Sequence, residues 1–281
     1  LADAALARAE SLEPFAVHVI ETGEGALQGL AGRGEQAWRS HIANAVSDDT
    51  RMRLAAFPTV DRAGALLHLE CPMRLQLLTD GPFEPAVFWL AFALRARATA
   101  LIDERGVSLA LAAISADGAS RCVNLSHASL ADPAFVPKLR ELLAQQPRAA
   151  AKLWMEVPEV AAVEHFARLQ QLSRELRPLG VKIGLEHAGN RLRDVPALYE
   201  AGLDYVKLDA ALSVGLAGDP DRVAFLRALV ALLQGLGIQV MAEGVEAEAD
   251  AQALWASGLD GITGPWASAT HPRLAERYRA G

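Results

Sequence analysis

Cysteine is scarce: the 281 residues carry two, Cys71 and Cys122. Two thiols this far apart form neither a zinc-ligand spacing nor a disulfide framework, which fits a reducing compartment. Long apolar runs are missing as well. None approaches the roughly 18 residues that span a bilayer, and no signal peptide opens the chain. An excess of positive charge is also absent, with 27 Lys and Arg against 34 Asp and Glu and a formal net charge of -7. That excludes a broad phosphate-tracking surface for a nucleic-acid polymer, though local Arg and Lys leave a small anionic ligand open. There is no initiator Met. The chain starts mid-pattern at Leu1-Ala2-Asp3, which reads as a piece of a longer protein, so any membrane span belongs to missing upstream segments.

What the sequence has in plenty is apolar residue, 52% of the total, rich in Ala and Leu and suited to a large helix-covered core. Residues 1–10 read as the end of a helix, and the Gly-rich residues 11–35 as a linker. Strands are expected at Arg51–Phe57 and Ala65–Cys71 as a hairpin around Asp61–Gly64. From there apolar strands near 119–125, 150–157, 181–186, 204–209, 238–243 and 260–263 alternate with helices. Those helices fall at 85–117 (as two), 133–145, 160–178, 192–201, 219–236, 247–257 and 271–279. Gly180, Gly202, Gly237 and Gly258 each stand just before a strand, where a helix stop belongs. Repeated helix–Gly–strand units imply a parallel sheet. The expected class is α/β, a (β/α)8 TIM-like barrel of seven parallel strands and one antiparallel partner, over residues 36–281. An open doubly wound sheet is the alternative, but its Gly-rich phosphate loop is not present.

Barrels of this kind carry their chemistry at the C-terminal ends of the strands. Read in order, those ends give Glu70 with Arg74, Asn124, Glu156 with Glu159, Glu186 with His187, Lys207 with Asp209, Glu243 with Glu246, and Thr263. Carboxylates and an amide converging on one mouth describe a hard-cation site for Mg²⁺ or Mn²⁺. A neighbouring Lys and Arg suit a phosphate ester. Other residues read as packing: Cys71 as a small core residue, His68 as barrel filler, Phe88, Trp89 and Phe92 as helix core. Trp266 reads equally as packing or as a stacking surface, and Asp219 as the N-cap of a helix with Pro220 in its first turn.

These strand ends resemble the signature segments of a known family. Leu69-Glu70-Cys71-Pro72-Met73-Arg74, Val123-Asn124-Leu125-Ser126, Met155-Glu156-Val157-Pro158-Glu159, Tyr205-Val206-Lys207-Leu208-Asp209 and Ala242-Glu243-Gly244-Val245-Glu246 are similar to those of EAL domains, the cyclic-di-GMP phosphodiesterase barrels of bacteria. The start, Ala2-Asp3-Ala4-Ala5-Leu6-Ala7-Arg8-Ala9, resembles the last helix of a GGDEF domain. The resemblance implies two metal ions that activate a water against one phosphodiester. It places Glu70, Asn124, Glu156, Glu186 and Glu243 at metal positions and Lys207 beside the water. It also implies ligand contacts at Glu70, Arg74, Asn124, Glu156, Lys207, Asp209, Glu243, Glu246 and Pro265.

Three departures stand against hydrolysis. Glu-Ala-Leu is Glu70-Cys71-Pro72, an Asp-Asp pair is Glu186-His187, and a Gln-Gly-aromatic segment is Thr263-Gly264-Pro265. Lengthening Asp to Glu adds about 1.5 Å of reach, which octahedral Mg²⁺ with ~2.1 Å bonds tolerates poorly. His187 removes a carboxylate from a mechanism that needs both ions. Lys207, Glu186, His187 and Thr263 therefore read as vestigial catalytic positions, and the five metal positions as vestigial too. No cofactor is required, with Mg or Mn needed only for residual activity. The expectation is a degenerate EAL domain that binds cyclic di-GMP as a receptor, similar to LapD-type receptors. It would be the cytoplasmic module of an inner-membrane protein, with a GGDEF-like domain before it and a homodimer as its working state. A slow phosphodiesterase and a ligand-blind scaffold are the alternatives.

Overall fold

The alternation of strands and helices closes on itself. The computed structural model describes residues 34–189, 191 and 199–273. The expected helix at 1–10, nearly all of the linker, and most of the helices at 192–201 and 271–279 lie outside the described residues. The strands in chain order are β1 (Met52–Leu54), β2 (Phe57–Val60), β3 (Leu66–Glu70), β4 (Met73–Leu75), β5 (Glu84–Pro85), β6 (Arg121–Asn124), β7 (Leu153–Pro158), β8 (Lys182–Ala188), β9 (Tyr205–Leu208), β10 (Gln239–Ala242) and β11 (Gly261–Thr263). Eight of them form a closed barrel in the order β10-β11-β2-β3-β6-β7-β8-β9. Only β2 runs against its neighbours β3 and β11, and the other pairings in the wall are parallel. This is the (β/α)8 barrel with one antiparallel strand that the sequence implies.

By its contacts the chain divides into two compact units, where the sequence reading has one barrel over 36–281. Among the described residues, the smaller unit takes 34–53 and 73–102, and the larger takes 54–72 and 103–273. The smaller holds a three-stranded sheet, β1-β4-β5, and the helices Gly34–Ser47 and Ala86–Ala96. Trp38 and Phe92 join these helices by stacking at 3.7 Å, and Trp89 is buried, as helix-core residues should be. The larger unit contains the barrel, including all the strand ends singled out above except Arg74. Arg74 lies on β4, opposite Pro85 of β5.

The hairpin expectation needs correction. Its first strand is not Arg51–Phe57. Residues 52–54 join the small sheet, and Phe57–Val60 enters the barrel. Pro58 makes this segment look like a break, because proline donates nothing to a ladder. The geometry removes that cost. Pro58 faces Leu69 of β3, and the Leu69 N–H turns away to Ser120 O. The missing donor of Pro58 therefore points toward β11, whose pairing starts only at Thr59.

The interior is filled in a way that fixes the strands. Cys122, Trp154, Tyr205 and Met241 pack as one buried cluster with Leu67 against it. Gly184 is required on β8 because a Cβ there would run into the Tyr205 ring. Gly180 ends the preceding turn at φ +90°, a left-handed conformation that favours glycine. Asp219 caps the helix Pro220–Gly235, accepting from Arg222 N.

Both thiols are buried, Cys71 at 2% and Cys122 at 0% exposure. Burial pushes the Cys71 thiol up to about 12 and the Cys122 thiol well above its usual range. Thiolate is the reactive form. The native protein is therefore expected to give no reaction with a disulfide reagent at pH 8, and two equivalents once unfolded in guanidinium. Rapid labelling of either thiol in the native state would contradict this packing.

Candidate functional site at the barrel mouth

Barrel closure brings distant strand ends onto one another. Lys207, on β9, is almost fully buried. Its Nζ donates to Glu70 Oε2 at 3.0 Å, lies 2.5 Å from Glu156 Oε2 and 3.9 Å from Glu243 Oε2. Burial alone would strip its proton, but Glu156, Glu70 and Glu243 together hold its pKa well above the usual lysine value. It is a charged ammonium among three acids.

Those acids do not share one state. Burial pushes Glu70 up, yet Lys207 and His68 outweigh it and hold Glu70 well below the carboxylate range. Burial and the Glu70 charge push Glu156 well above its usual value against the pull of Lys207. Glu156 sits inside β7, not at its end, with Val157 and Pro158 beyond it. The Lys207 ammonium holds Glu156 Oε2 at 2.5 Å, while Oε1 is buried with no hydrogen-bond partner.

A second charged knot lies beside the first. His187 has φ +52° and falls where the β8–β9 register shifts between Leu185 and Ala188. A bulge re-aims the side chain it carries. Here it sends the imidazole to Glu243 Oε1, 2.5 Å from Nδ1, with Asp209 Oδ2 at 3.7 Å from Nδ1 and Glu186 Oε2 at 3.9 Å from Nε2. Burial disfavours the charged ring, but the bond to Glu243 and the charges of Glu186 and Glu243 prevail, so its pKa is raised to about 10. Glu186 is pushed up by burial, and its Oε2 accepts from Asn124 Nδ2 at 2.5 Å. Asp209 also caps the short helix Ala210–Ser213 through Ala211 N.

Glu70, Asn124, Glu156, Glu186, His187, Lys207, Asp209 and Glu243 thus form one continuous network. Other named residues serve elsewhere. Thr263 is buried, its Oγ1 donating to Pro58 O at 3.1 Å. Glu159 accepts from Gly189 N and Arg191 N through Oε1, holding the loop that follows β8. Glu246 and Pro265 are exposed. The Trp266 indole donates to Glu248 Oε2 at 2.6 Å, which fixes the ring by a polar bond in addition to packing.

Two functional neighbours escape the reading of strand ends. His68, fully buried, meets Glu70 Oε1 at 2.8 Å, and Thr59 Oγ1 donates to the same oxygen at 3.2 Å. Burial lowers the His68 pKa, so the ring is neutral and donates its single proton from Nε2. The signal was available: residues two apart on a strand share a face.

Comparison with known proteins follows the same outline. The chain is 26% identical over 258 residues to the RNase E specificity factor CsrD of Escherichia coli (strain K12), covering 88% of this chain and 39% of CsrD. It spans 21% and 16% of two further curated relatives, so it corresponds to well under half of each of these proteins. Among solved structures it is similar to the EAL domain of Xanthomonas citri FimX in complex with c-diGMP. The identity is 22%, the TM-score 0.76, and the coverage 85% of this chain and 94% of that one. It is similar also to the S helix-GGDEF-EAL portion of Vibrio cholerae LapD bound to c-di-GMP. There the identity is 20%, the TM-score 0.78, and the coverage 93% of this chain and 63% of that one. At these identities the structures show a common fold. The EAL domain family profile matches residues 39–270, and the chain belongs to the EAL domain family.

Proposed function

We propose that this EAL domain binds cyclic di-GMP at the barrel mouth as a receptor and does not hydrolyse it appreciably. The observation that carries the reading is His187. The family resemblance assigns two carboxylates to the positions of Glu186 and His187. Here the second is an imidazole bonded to Glu243 at 2.5 Å, a softer nitrogen donor where a second hard divalent ion would need a carboxylate. Glu186 and Asn124 are bonded to each other, and Glu70 has partners on both oxygens. This donor set does not fit a pair of hard cations about 3.5–4 Å apart.

Ligand binding asks less of the site. The fold it shares with the c-diGMP-bound FimX domain supports the choice of ligand. Lys207, Asn124, Asp209, Glu243, Glu246 and Pro265 are the contacts assigned on the barrel. In the longer protein, a preceding GGDEF-like domain and a second copy of the chain would receive the signal, in a cytoplasmic part anchored by an upstream membrane segment. Among the described residues no helix is long and apolar enough to cross a membrane.

The slow-phosphodiesterase reading draws on Glu156, whose buried Oε1 lacks a hydrogen-bond partner and would accept a single ion. Calorimetry with cyclic di-GMP, with and without Mn²⁺, followed by analysis for the linear dinucleotide, separates the readings. Binding in chelator with no product is the expected result. Mn²⁺-dependent turnover abolished by Glu156→Gln would transfer the protein to the enzymes, and no heat of binding at micromolar protein would leave a scaffold.

A further inference from the structure

His68 lies outside every motif discussed above, yet it touches the signature acid more closely than any other side chain. Its ring is buried inside the barrel and set by two aromatic neighbours, Trp154 at 4.4 Å and Tyr205 at 6.4 Å between centroids. Those two hold each other at 4.9 Å. Tyr205 is itself pinned, its Oη donating to Met155 O at 3.2 Å with Cys122 Sγ 3.3 Å away. The His68 ring therefore has little freedom to turn.

A carboxylate accepts hydrogen bonds, so the 2.8 Å contact is donation from His68 Nε2 to Glu70 Oε1. The other ring nitrogen, Nδ1, is buried with no partner. That is the arrangement expected when one proton sits on Nε2 and all of its hydrogen bonding is directed at Glu70. With Oε1 held by His68 and Thr59, Oε2 is presented to Lys207 Nζ at 3.0 Å. The chain of contacts runs Trp154 and Tyr205, His68, Glu70, Lys207. It starts in the closed interior and ends on the cation of the mouth.

We infer that His68 is a positioning residue: it fixes the rotamer of Glu70 so that this acid serves as an internal strut for Lys207 instead of reaching out to a metal or ligand. The inference rests on the receptor reading only for its effect on ligand affinity. The strut itself is a property of the unliganded chain.

Two substitutions separate donation from packing. His68→Phe keeps a ring against Trp154 and Tyr205 but removes the donor. His68→Gln keeps an amide N–H of similar reach. Two readouts are taken on each: the Lys207 ζ-ammonium resonance by NMR without ligand, and the calorimetric Kd for cyclic di-GMP. His68→Phe is expected to move the Lys207 resonance and weaken binding by about tenfold or more, on the scale of losing a hydrogen bond to a charged group. His68→Gln is expected to restore both toward wild type. An unmoved resonance and an unchanged Kd in His68→Phe, with only a lowered Tm, would make His68 a packing residue and overturn the inference. If the wild-type chain binds no cyclic di-GMP, the receptor reading fails alone, and the ligand-free resonance still decides the strut. Should His68→Phe not fold, Thr59→Val, which removes the other donor to the same oxygen, with and without His68→Gln, carries the same comparison.

Discussion

Replacing Lys207 by Met is expected to destabilise the protein at pH 8 by about 3–5 kcal/mol, the usual cost of removing one partner from a buried ionic group. For a domain of this size each kcal/mol moves Tm by about 2–4 °C, so the melting point should fall by roughly 6–20 °C. Methionine nearly preserves the length and volume of the lysine stem, so a cavity contributes little. What is lost is the ammonium 3.0 Å from Glu70 and 2.5 Å from Glu156. The pH dependence gives the sign. With Lys207 present, Glu70 is held well below its unfolded value. A depressed acid contributes stability that is present above its unfolded pKa and lost as pH falls. Without the ammonium, burial and mutual repulsion raise Glu70 and Glu156 together. A raised acid favours the folded state at low pH and disfavours it as pH rises. The gap in Tm between wild type and Lys207→Met should therefore be widest at pH 8 and close on acidification toward pH 5. Adding Glu156→Gln to the variant should return part of the loss. A gap that is small at pH 8, or that widens with acid, would show that the three acids do not depend on Lys207.

The parts of this molecule legible in the sequence are those set by short-range pattern. Apolar strands, each preceded by a helix-stopping glycine at Gly180, Gly202, Gly237 or Gly258, revealed the parallel wall, since both periodicity and helix stops are local. The small sheet was not legible because β4 and β5 have three and two residues, too short for any period. The strand Phe57–Val60 was not legible because the place of Pro58 in it depends on the side where β11 pairs, and that ladder is set by residues some 200 positions away. The site divides the same way. Glu70, Lys207 and Glu243 could be placed at the mouth because each lies at or next to the end of an apolar strand. That Asn124 would bond Glu186 across 62 residues, or that His187 would turn to Glu243, depends on barrel closure and on a bulge. Nothing in Glu186-His187-Ala188 announces a left-handed histidine; such a conformation in a non-glycine residue is uncommon and is tolerated where neighbouring structure over-determines it. Here the neighbour is Glu243.

That same backbone makes His187→Asp the most informative change at the mouth. Aspartate accepts a left-handed φ better than most side chains, so the bulge at φ +52° should survive. The charge at the position is reversed. In wild type the imidazole, its pKa raised to about 10 by Glu243 and Glu186, faces Glu186, Asp209 and Glu243 and puts a nitrogen donor where a hard divalent ion favours oxygen. In the variant four carboxylates would face one another, which lowers stability in chelator and creates the hard-oxygen surroundings that Mn²⁺ prefers. Binding to the folded state alone stabilises by about 2.7 kcal/mol at a hundredfold excess over Kd, or roughly 5–11 °C in Tm for a domain of this size. The expected result is a Mn²⁺-dependent rise of that order in His187→Asp, none in wild type, and wild-type cyclic di-GMP binding indifferent to chelator. An equal rise in both proteins would mean that His187 does not hold the second ion's place. The loss of hydrolysis argued from it would then have no physical cause at this position, and Glu156 with Lys207 would become the centre of a metal-dependent site.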